Sequence, residues 1–335
     1  MKTLDFVKNN IQYIMIVIIA IGLSNVYFFG GFDTPKNILI AIVVLLVIYP
    51  VMINTKFEEV VSHIKEPRPI FCSFFINFMI SPLIAFGIGI LFLSDQPVIF
   101  AALMLLALIP TSSMSAAWTA FSNARMSTAL YLIPANLIFA AFIALPFIYP
   151  LFLGDAIEIN RLTIIKNILL VFLLPLILGE FTRRIILRYK TPEYFKNKIK
   201  PNLTGISSVG ILILLFFVMS LKRNTLLLEN YSLIFTILIP VVLYYIFMYT
   251  ISIIWAKFSI KRKILSPDKA VVLIYTSTAR HINISLALVI SAFAIEQASV
   301  MILLLIIAYI VQLPSLAFYA QHWGEKMIEK MEVKQ

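Results

Sequence analysis

The chain has 335 residues, of which 61% are hydrophobic and 13% are charged. Its apolar blocks are long enough to cross about 30 Å of hydrocarbon as helices, which excludes a soluble globular fold, and they lack the alternation that transmembrane β-strands need. The formal net charge of +11 is interpreted as a mark of membrane topology and of attraction to anionic lipid, not of nucleic-acid binding, because aromatic residues are not interleaved with the basic ones.

Apolar runs of about 17 to 25 residues predict ten transmembrane helices. In chain order they are Ile11–Phe29, Ile38–Ile53, Ile70–Leu93, Val98–Phe121, Thr128–Leu153, Ile164–Leu187, Leu203–Leu221, Ser232–Trp255, Ala270–Phe293 and Val300–Tyr319. The connections are too short for a soluble domain with its own core, so we expect one transmembrane domain over residues 1–335. Most Lys and Arg residues fall on the side of the N-terminus, which predicts a multi-pass protein of the plasma membrane with both termini cytoplasmic.

The fourth predicted span contains "ALIPTSSMSAAWTAF" and is expected to be interrupted near its middle. Pro110 removes a backbone donor and clashes with the preceding turn. Thr111, Ser112 and Ser113 follow it directly, and their hydroxyls can compete for the hydrogen bonds of a helix. The alternative is ordinary packing of small residues between helices.

The ninth predicted span has a similar polar cluster in the sequence "YTSTARHIN". Its polar side chains after the tyrosine are Thr276, Ser277, Thr278, Arg280, His281 and Asn283. These side chains also compete with the backbone, so a second helix break is expected at this point, without a proline.

The two predicted breaks have the same ordinal position in a five-plus-five arrangement. Ser112 and Arg280 are 168 positions apart, which suits a duplication of residues about 11–153 as residues about 164–321. Five is odd, so the repeats must be inverted in the membrane. Unpaired backbone groups in lipid cost several kcal/mol each, so the broken helices 4 and 9 are expected to cross at the bilayer midplane. Half-helix ends that meet there can bind charged ligands.

Arg280 lies in the middle of a span, where a charged side chain costs roughly 3 kcal/mol and normally has a partner. One hypothesis is that half-helix carbonyls, hydroxyls such as those of Thr111 or Ser113, or the carboxylate of Glu180 satisfy the guanidinium. The other is that an anionic substrate neutralises it. His281, next in the chain, is either a packing residue or a weak candidate for proton coupling.

Four segments carry a resemblance to a known family: "VIYPVMINTKFEEV", "INFMISPLIAFGIGILFL", "SSMSAAWT" and "LIPANLIFAAF". Asn77 and Pro82 in the third span, and Met114, Trp118 and Asn136 in the fourth and fifth, are at matching places. They resemble the bile acid:sodium symporter superfamily, and particularly its branch of arsenical-resistance (arsenite efflux) permeases. The resemblance implies ten spans, crossed breaks in spans four and nine, and secondary transport.

Two departures from the family pattern affect the expected substrate. Arsenite permeases carry a cysteine thiolate in the fourth-span break, suited to a soft metalloid, where this chain has Thr111. Their ninth span has an asparagine pair followed by a glutamate, and the best-matching positions here are Arg280, His281 and Asn283. A carboxylate is thus replaced by a cation, which favours an anionic substrate with weak or no sodium dependence.

We therefore predict a secondary active transporter that moves a small anionic solute, an organic acid or oxyanion, by alternating access. The residues expected to bind substrate are Thr111, Ser112, Ser113, Arg280, His281 and Asn283. Possible cation ligands, or a second polar layer, are Asn77, Met114, Asn136 and Gln312. The alternatives are an arsenite or antimonite efflux permease and, from a different class, a membrane solute sensor.

No enzymatic activity, resident cofactor or metal site is expected. The sequence contains no catalytic triad and no phosphate-binding glycine loop. Cys72 is the single cysteine, and His63 and His322 are far from His281 in the sequence, so neither zinc nor redox chemistry is supported. Coupling to Na⁺ or H⁺ is left open. The expected partners are the anionic solute and the lipid bilayer, not nucleic acid, and the chain is expected to be a monomer or homodimer.

Overall fold

The computed structural model describes residues 2–55, 66–109, 111–152, 161–221 and 232–332. Over these ranges the regular secondary structure is helical, accompanied by two isolated β-bridges. The predicted all-α class is therefore confirmed. Pro110, residues 56–60 of the first family motif and Leu153 at the end of the fifth predicted span lie outside the described residues.

In chain order the helices are α1 (Lys2–Phe29), α2 (Lys36–Asn54), α3 (Pro67–Phe92), α4 (Pro97–Leu108), α5 (Met114–Phe121), α6 (Met126–Phe152), α7 (Ile165–Tyr189), α8 (Pro192–Met219), α9 (Ser232–Lys261), α10 (Pro267–Thr278), α11 (Ile282–Ala292) and α12 (Ile295–Glu329). Within the described ranges, seven of them are long and apolar enough to cross a bilayer: α2, α3, α6, α7, α8, α9 and α12. Residues Tyr13–Phe29 of α1, together with α4 and α11, are shorter apolar helices.

Several helices extend beyond the ends predicted for them, as three of them illustrate. Helix α1 begins at Lys2, α9 continues past Trp255 to Lys261, and α12 continues past Tyr319 to Glu329. The predicted bounds mark membrane spans, and hydropathy marks only the part of a helix that fits the hydrocarbon layer, whereas the helix can continue through polar residues outside it.

The fourth and ninth predicted spans are each divided into two helices, α4 with α5 and α10 with α11. The residues that end the first helix of each pair have left the helical region of the backbone. Ile109 has φ −66° and ψ 143°, and Ala279 has φ −81° and ψ 94°. Hydroxyl-bearing residues lie within two positions of both, as the sequence predicts.

The helices group into two compact units. Unit 1 comprises residues 1–55, 158–235 and 283–303, and unit 2 comprises residues 56–157, 236–282 and 304–335. In unit 1, glycines let helix backbones approach closely. A Cβ atom added to Gly179 of α7 would lie 2.6 Å from Cβ of Met52 in α2, and one added to Gly210 of α8 would lie 2.7 Å from Cβ of Leu46, also in α2.

In unit 2, α4 and α10 form the interior. Every described side chain from Ala101 to Leu108 of α4 is buried, and so is every one from Ala270 to Thr278 of α10. Helix α10 packs against α3, α5 and α6. Four of the polar residues that follow α4 and α10 are therefore buried inside unit 2: Thr111, Ser112, Arg280 and His281.

Candidate functional site

The two helix breaks contact each other inside unit 2. Thr111 and Arg280 form an isolated antiparallel bridge, and the backbone N–H of Ser112 donates to the carbonyl of Ala279 at 2.7 Å. The Thr111 hydroxyl donates to the carbonyl of Thr276, in the last turn of α10, at 2.5 Å. Each break thus supplies hydrogen-bond partners to the other, which offsets the cost of interrupting a buried helix.

Arg280 is the largest side chain that is fully buried in the described part of the chain. Its Nη2 donates to the hydroxyl of Ser81 at 2.8 Å, and its Nη1 donates to the carbonyl of Ile109 at 3.3 Å. Nε has no hydrogen-bond partner among the described residues. The Ile109 carbonyl lies at the C-terminal end of α4, where the helix dipole favours a positive charge. The guanidinium is therefore held by neutral oxygens.

The backbone of Arg280 is held by one side chain of α12, that of Gln312. The Arg280 N–H donates to Gln312 Oε1 at 2.7 Å, and Gln312 Nε2 donates to the Arg280 carbonyl at 3.3 Å. The Tyr245 hydroxyl of α9 also donates to Gln312 Oε1, at 2.9 Å. Because two donors point at Oε1, the orientation of the Gln312 amide is fixed, and both the N–H and the carbonyl of Arg280 have partners.

Ser81 of α3 is the centre of a second group of hydrogen bonds. Its hydroxyl donates to the carbonyl of Ala107 in α4 at 2.8 Å. Since the single proton is used there, Ser81 Oγ accepts from both Arg280 Nη2 and the Tyr244 hydroxyl, which lies 2.8 Å away. Ser81 thus joins α3, α4, α9 and the ninth-span break through one buried oxygen.

The hypotheses about the partner of Arg280 have different outcomes. A half-helix carbonyl does bind the guanidinium, as one of them proposed. A hydroxyl also binds it, as expected, but it is that of Ser81; the two examples given were wrong, because Thr111 donates to a carbonyl and Ser113 is exposed. The Glu180 carboxylate accepts from Arg184 Nε, one turn away, at 2.6 Å. Among the described residues no acidic side chain forms an ion pair with Arg280.

The other residues predicted to bind substrate differ in their exposure. Ser112 is buried, and its hydroxyl accepts from the backbone N–H of Met114 at 3.3 Å, at the start of α5. Met114 itself is half-buried, and Ser113 is exposed. His281 is buried beside Arg280 in the chain. Asn283 is half-buried in the first turn of α11 and belongs to unit 1, so it is not grouped with the others.

Asn77 and Asn136 form a separate polar cluster with Ser73. Asn77 Nδ2 donates to Ser73 Oγ at 3.1 Å and to Asn136 Oδ1 at 3.4 Å, and Asn136 Nδ2 donates to Ser73 Oγ at 2.9 Å. The Oδ1 atom of Asn77 has no partner within the described ranges. Residues 73, 77 and 81 recur every four positions, which places them along one face of α3. That spacing is a signal in the sequence for Ser81, which was not among the residues predicted for the site.

A family comparison identifies the class of protein. The sequence model of the family described as "Sodium Bile acid symporter family" matches residues 41–230 of this chain, more than half of its length. The chain belongs to this family. The predicted relationship is thereby confirmed. This member of the sodium bile acid symporter family is a multi-pass transporter that lies in the lipid bilayer and has a small-molecule substrate.

Individual relatives agree with the family assignment. Arsenical-resistance protein Acr3 of Corynebacterium glutamicum is 24% identical over 281 residues, which cover 81% of this chain and 74% of that protein. Arsenical-resistance protein Acr3 of Alkaliphilus metalliredigens is 22% identical over 302 residues, covering 86% and 83%. An uncharacterized transporter of Synechocystis, slr0944, is 23% identical over 282 residues, covering 78% and 72%. The expected likeness to the arsenical-resistance branch is confirmed.

Proposed function

We propose that this family member is a secondary active transporter that moves a small anionic solute, an organic acid or oxyanion, by alternating access. The observation that carries the proposal is the buried guanidinium of Arg280 at the paired helix breaks, bonded only to neutral oxygens among the described residues. Burying a charge at mid-bilayer costs roughly 3 kcal/mol. An anion that binds there neutralises the charge and gains charge-assisted hydrogen bonds.

The proposed site has a cation and several hydroxyl groups close to it in the fold. Arg280 would anchor the anion, while Thr111 and Ser112 on the facing break would orient it. The proposal includes ten spans in a five-plus-five inverted repeat, over residues about 11–153 and 164–321. Its support is the matching interruption of α4 with α5 and of α10 with α11. We also propose a plasma-membrane location with both termini cytoplasmic, from the distribution of Lys and Arg.

The test is uptake into proteoliposomes of a panel of carboxylates, phosphate, sulfate and arsenite by the wild type and by Arg280→Gln. Loss of one charge-assisted interaction of about 1.5 to 3 kcal/mol should lower anion uptake about 10- to 100-fold. Arg183→Gln is the matched control, because Arg183 is also buried but stacks on Phe195 in unit 1, with its guanidinium carbon 5.0 Å from the ring centre. Undiminished anion uptake by Arg280→Gln would reject the anchor role.

The second candidate function is efflux of arsenite or antimonite. It is favoured by the two relatives named as arsenical-resistance proteins. Against it stand Thr111, at the place where the resemblance puts a thiolate, and Cys72, the single cysteine, which is buried in α3. Transport restricted to arsenite and antimonite in the same panel would favour this function over the anion transporter.

A further inference from the structure

The name of the family raises the question of whether sodium fits at the helix breaks. Half-helix C-termini in transporters hold cations through backbone carbonyls, assisted by side-chain oxygens. At the end of α4 the corresponding oxygens are the Ile109 carbonyl and the Ser81 hydroxyl, and at the other break they are Gln312 Oε1 and the Arg280 carbonyl. The hydrogen bonds that these oxygens already make show how many lone pairs remain for a metal ion.

The oxygens closest to the guanidinium are already used. Ser81 Oγ accepts two hydrogen bonds, from Arg280 and Tyr244, and donates its proton to Ala107, so all of its positions are filled. Gln312 Oε1 likewise accepts two bonds, from the Arg280 N–H and the Tyr245 hydroxyl. A cation would have to break these bonds before it could be coordinated.

The carbonyls at the two breaks are occupied as well. The Ile109 carbonyl accepts from Arg280 Nη1 at 3.3 Å. The Arg280 carbonyl accepts from Gln312 Nε2 at 3.3 Å and from the backbone N–H of Ile282 at 3.1 Å. Both lone pairs of the Arg280 carbonyl and one of the Ile109 carbonyl are therefore used, so a cation would compete with the protein's own donors at both breaks.

Charge acts in the same direction as the hydrogen bonds. A second unit charge about 4 Å from the guanidinium, at an effective dielectric constant of about 20, lowers cation affinity roughly 1,000-fold. In the described part of the chain no carboxylate pairs with Arg280 to offset this repulsion. The residues at the breaks therefore do not fit sodium.

We infer that the Arg280 guanidinium is a resident cation, held covalently at the cation-binding end of α4, and that it makes binding of Na⁺ at the breaks unnecessary. The part of this inference that concerns transport rests on the proposed function, in which the positive charge that attracts the anion belongs to the chain itself. Substrate transport is then independent of a sodium gradient, and residue 280 determines whether the site responds to Na⁺.

The test uses Na⁺ itself as the probe and needs no substrate. The melting temperature of the purified full-length transporter is measured in NaCl, KCl and choline chloride at equal ionic strength. We expect no Na⁺-specific shift for the wild type or for Arg280→Lys, which keeps the charge. Arg280→Gln frees Ser81 Oγ and the Ile109 carbonyl and adds an amide oxygen, so it should gain a Na⁺-specific increase of a few degrees at saturating Na⁺.

A double variant locates the effect. Ser81→Ala in the Arg280→Gln background removes one of the freed oxygens, and the Na⁺-specific increase should disappear. A Na⁺-specific increase in the wild type overturns the inference, and so does the lack of one in Arg280→Gln. If Arg280→Gln does not fold, Arg280→Met replaces it, because methionine also removes the charge and frees the same two oxygens. The same outcomes, a Na⁺-specific increase in the wild type or none in Arg280→Met, then overturn the inference. Anion uptake tests the proposed function separately, so either idea can fail without the other.

Discussion

Ser81→Ala is expected to destabilise the transporter far more than a serine hydroxyl usually does. The side chain is fully buried, and its oxygen takes part in three hydrogen bonds, with Ala107, Tyr244 and Arg280. Alanine removes all three hydrogen bonds at once, and its helix propensity is higher than that of serine, so the backbone is not weakened. The groups left behind remain buried, where water does not readily replace the lost partner.

The magnitude follows from the groups left unpaired. A buried donor or acceptor without its partner costs about 1 to 3 kcal/mol, and more when it is charged. The Ala107 carbonyl lies in the last turn of α4, where carbonyls have no partner within the helix. Hydrogen bonds in membrane proteins average only about 0.6 kcal/mol because the unfolded chain finds other partners. Allowing for this, we expect Ser81→Ala to lower the free energy of unfolding by about 3 kcal/mol.

Ser207→Ala is the matched control. Ser207 is also buried in a membrane-spanning helix, α8, but its hydroxyl makes a single bond, to the carbonyl of Val47 at 3.0 Å. We expect its removal to cost about 1 kcal/mol or less. Equilibrium unfolding in mixed detergent micelles, followed by far-ultraviolet circular dichroism, measures both changes.

A double-mutant cycle tests the assignment of the Tyr244 proton. Tyr244→Phe should cost about 1 kcal/mol less in the Ser81→Ala background than in the wild type, because the hydroxyl has then already lost its acceptor. The reasoning would be refuted if Ser81→Ala cost no more than Ser207→Ala, or if the effects of Ser81→Ala and Tyr244→Phe were additive.

Three other substitutions have defined outcomes. Gln312→Glu adds a negative charge beside the backbone of residue 280, at the paired breaks, and should lower anion uptake in proteoliposomes about 10-fold or more. Gln312→Met, which lacks the charge, separates this effect from loss of the backbone contacts. Gly179→Ala should cost about 1 to 3 kcal/mol in detergent unfolding, since the added Cβ would meet Met52, whereas Gly87→Ala, with nothing within 4 Å, should be neutral or stabilising. Thr111→Cys introduces a thiol at the fourth-span break and should raise arsenite uptake above the wild-type level; equal uptake would count against recognition at this position.

The sequence was sufficient to predict the class of fold and the two interruptions. Long apolar runs require helices in lipid, and the polar clusters at Thr111 and Arg280 were dense enough to compete with the helix backbone. The contact between the breaks also followed from physical reasoning, because unpaired backbone at membrane depth needs a protein partner. These predictions depend on local composition, which a single sequence contains.

The partners of the guanidinium could not be predicted in the same way. Which hydroxyl meets Arg280 depends on the rotation of α3 about its axis, and that is set by packing against α4 and α10. Ser81 is one of many serines in the spans, and only the recurrence at Ser73, Asn77 and Ser81 marks a buried face. The role assigned to Gln312 as part of a cation or second polar layer also missed its bonds to the backbone of residue 280.

The hydrogen bonds from Gln312 to the main chain have a consequence for which substitutions such a transporter can accept at residue 280. Its amide binds the N–H and the carbonyl of residue 280, and neither hydrogen bond involves the guanidinium, so these backbone contacts can form with a different side chain at that position. A substitution at 280 would therefore change the local charge without removing the hydrogen bonds that Gln312 makes to the backbone. Under the proposed function, such a substitution would change the preferred cargo without requiring a new fold.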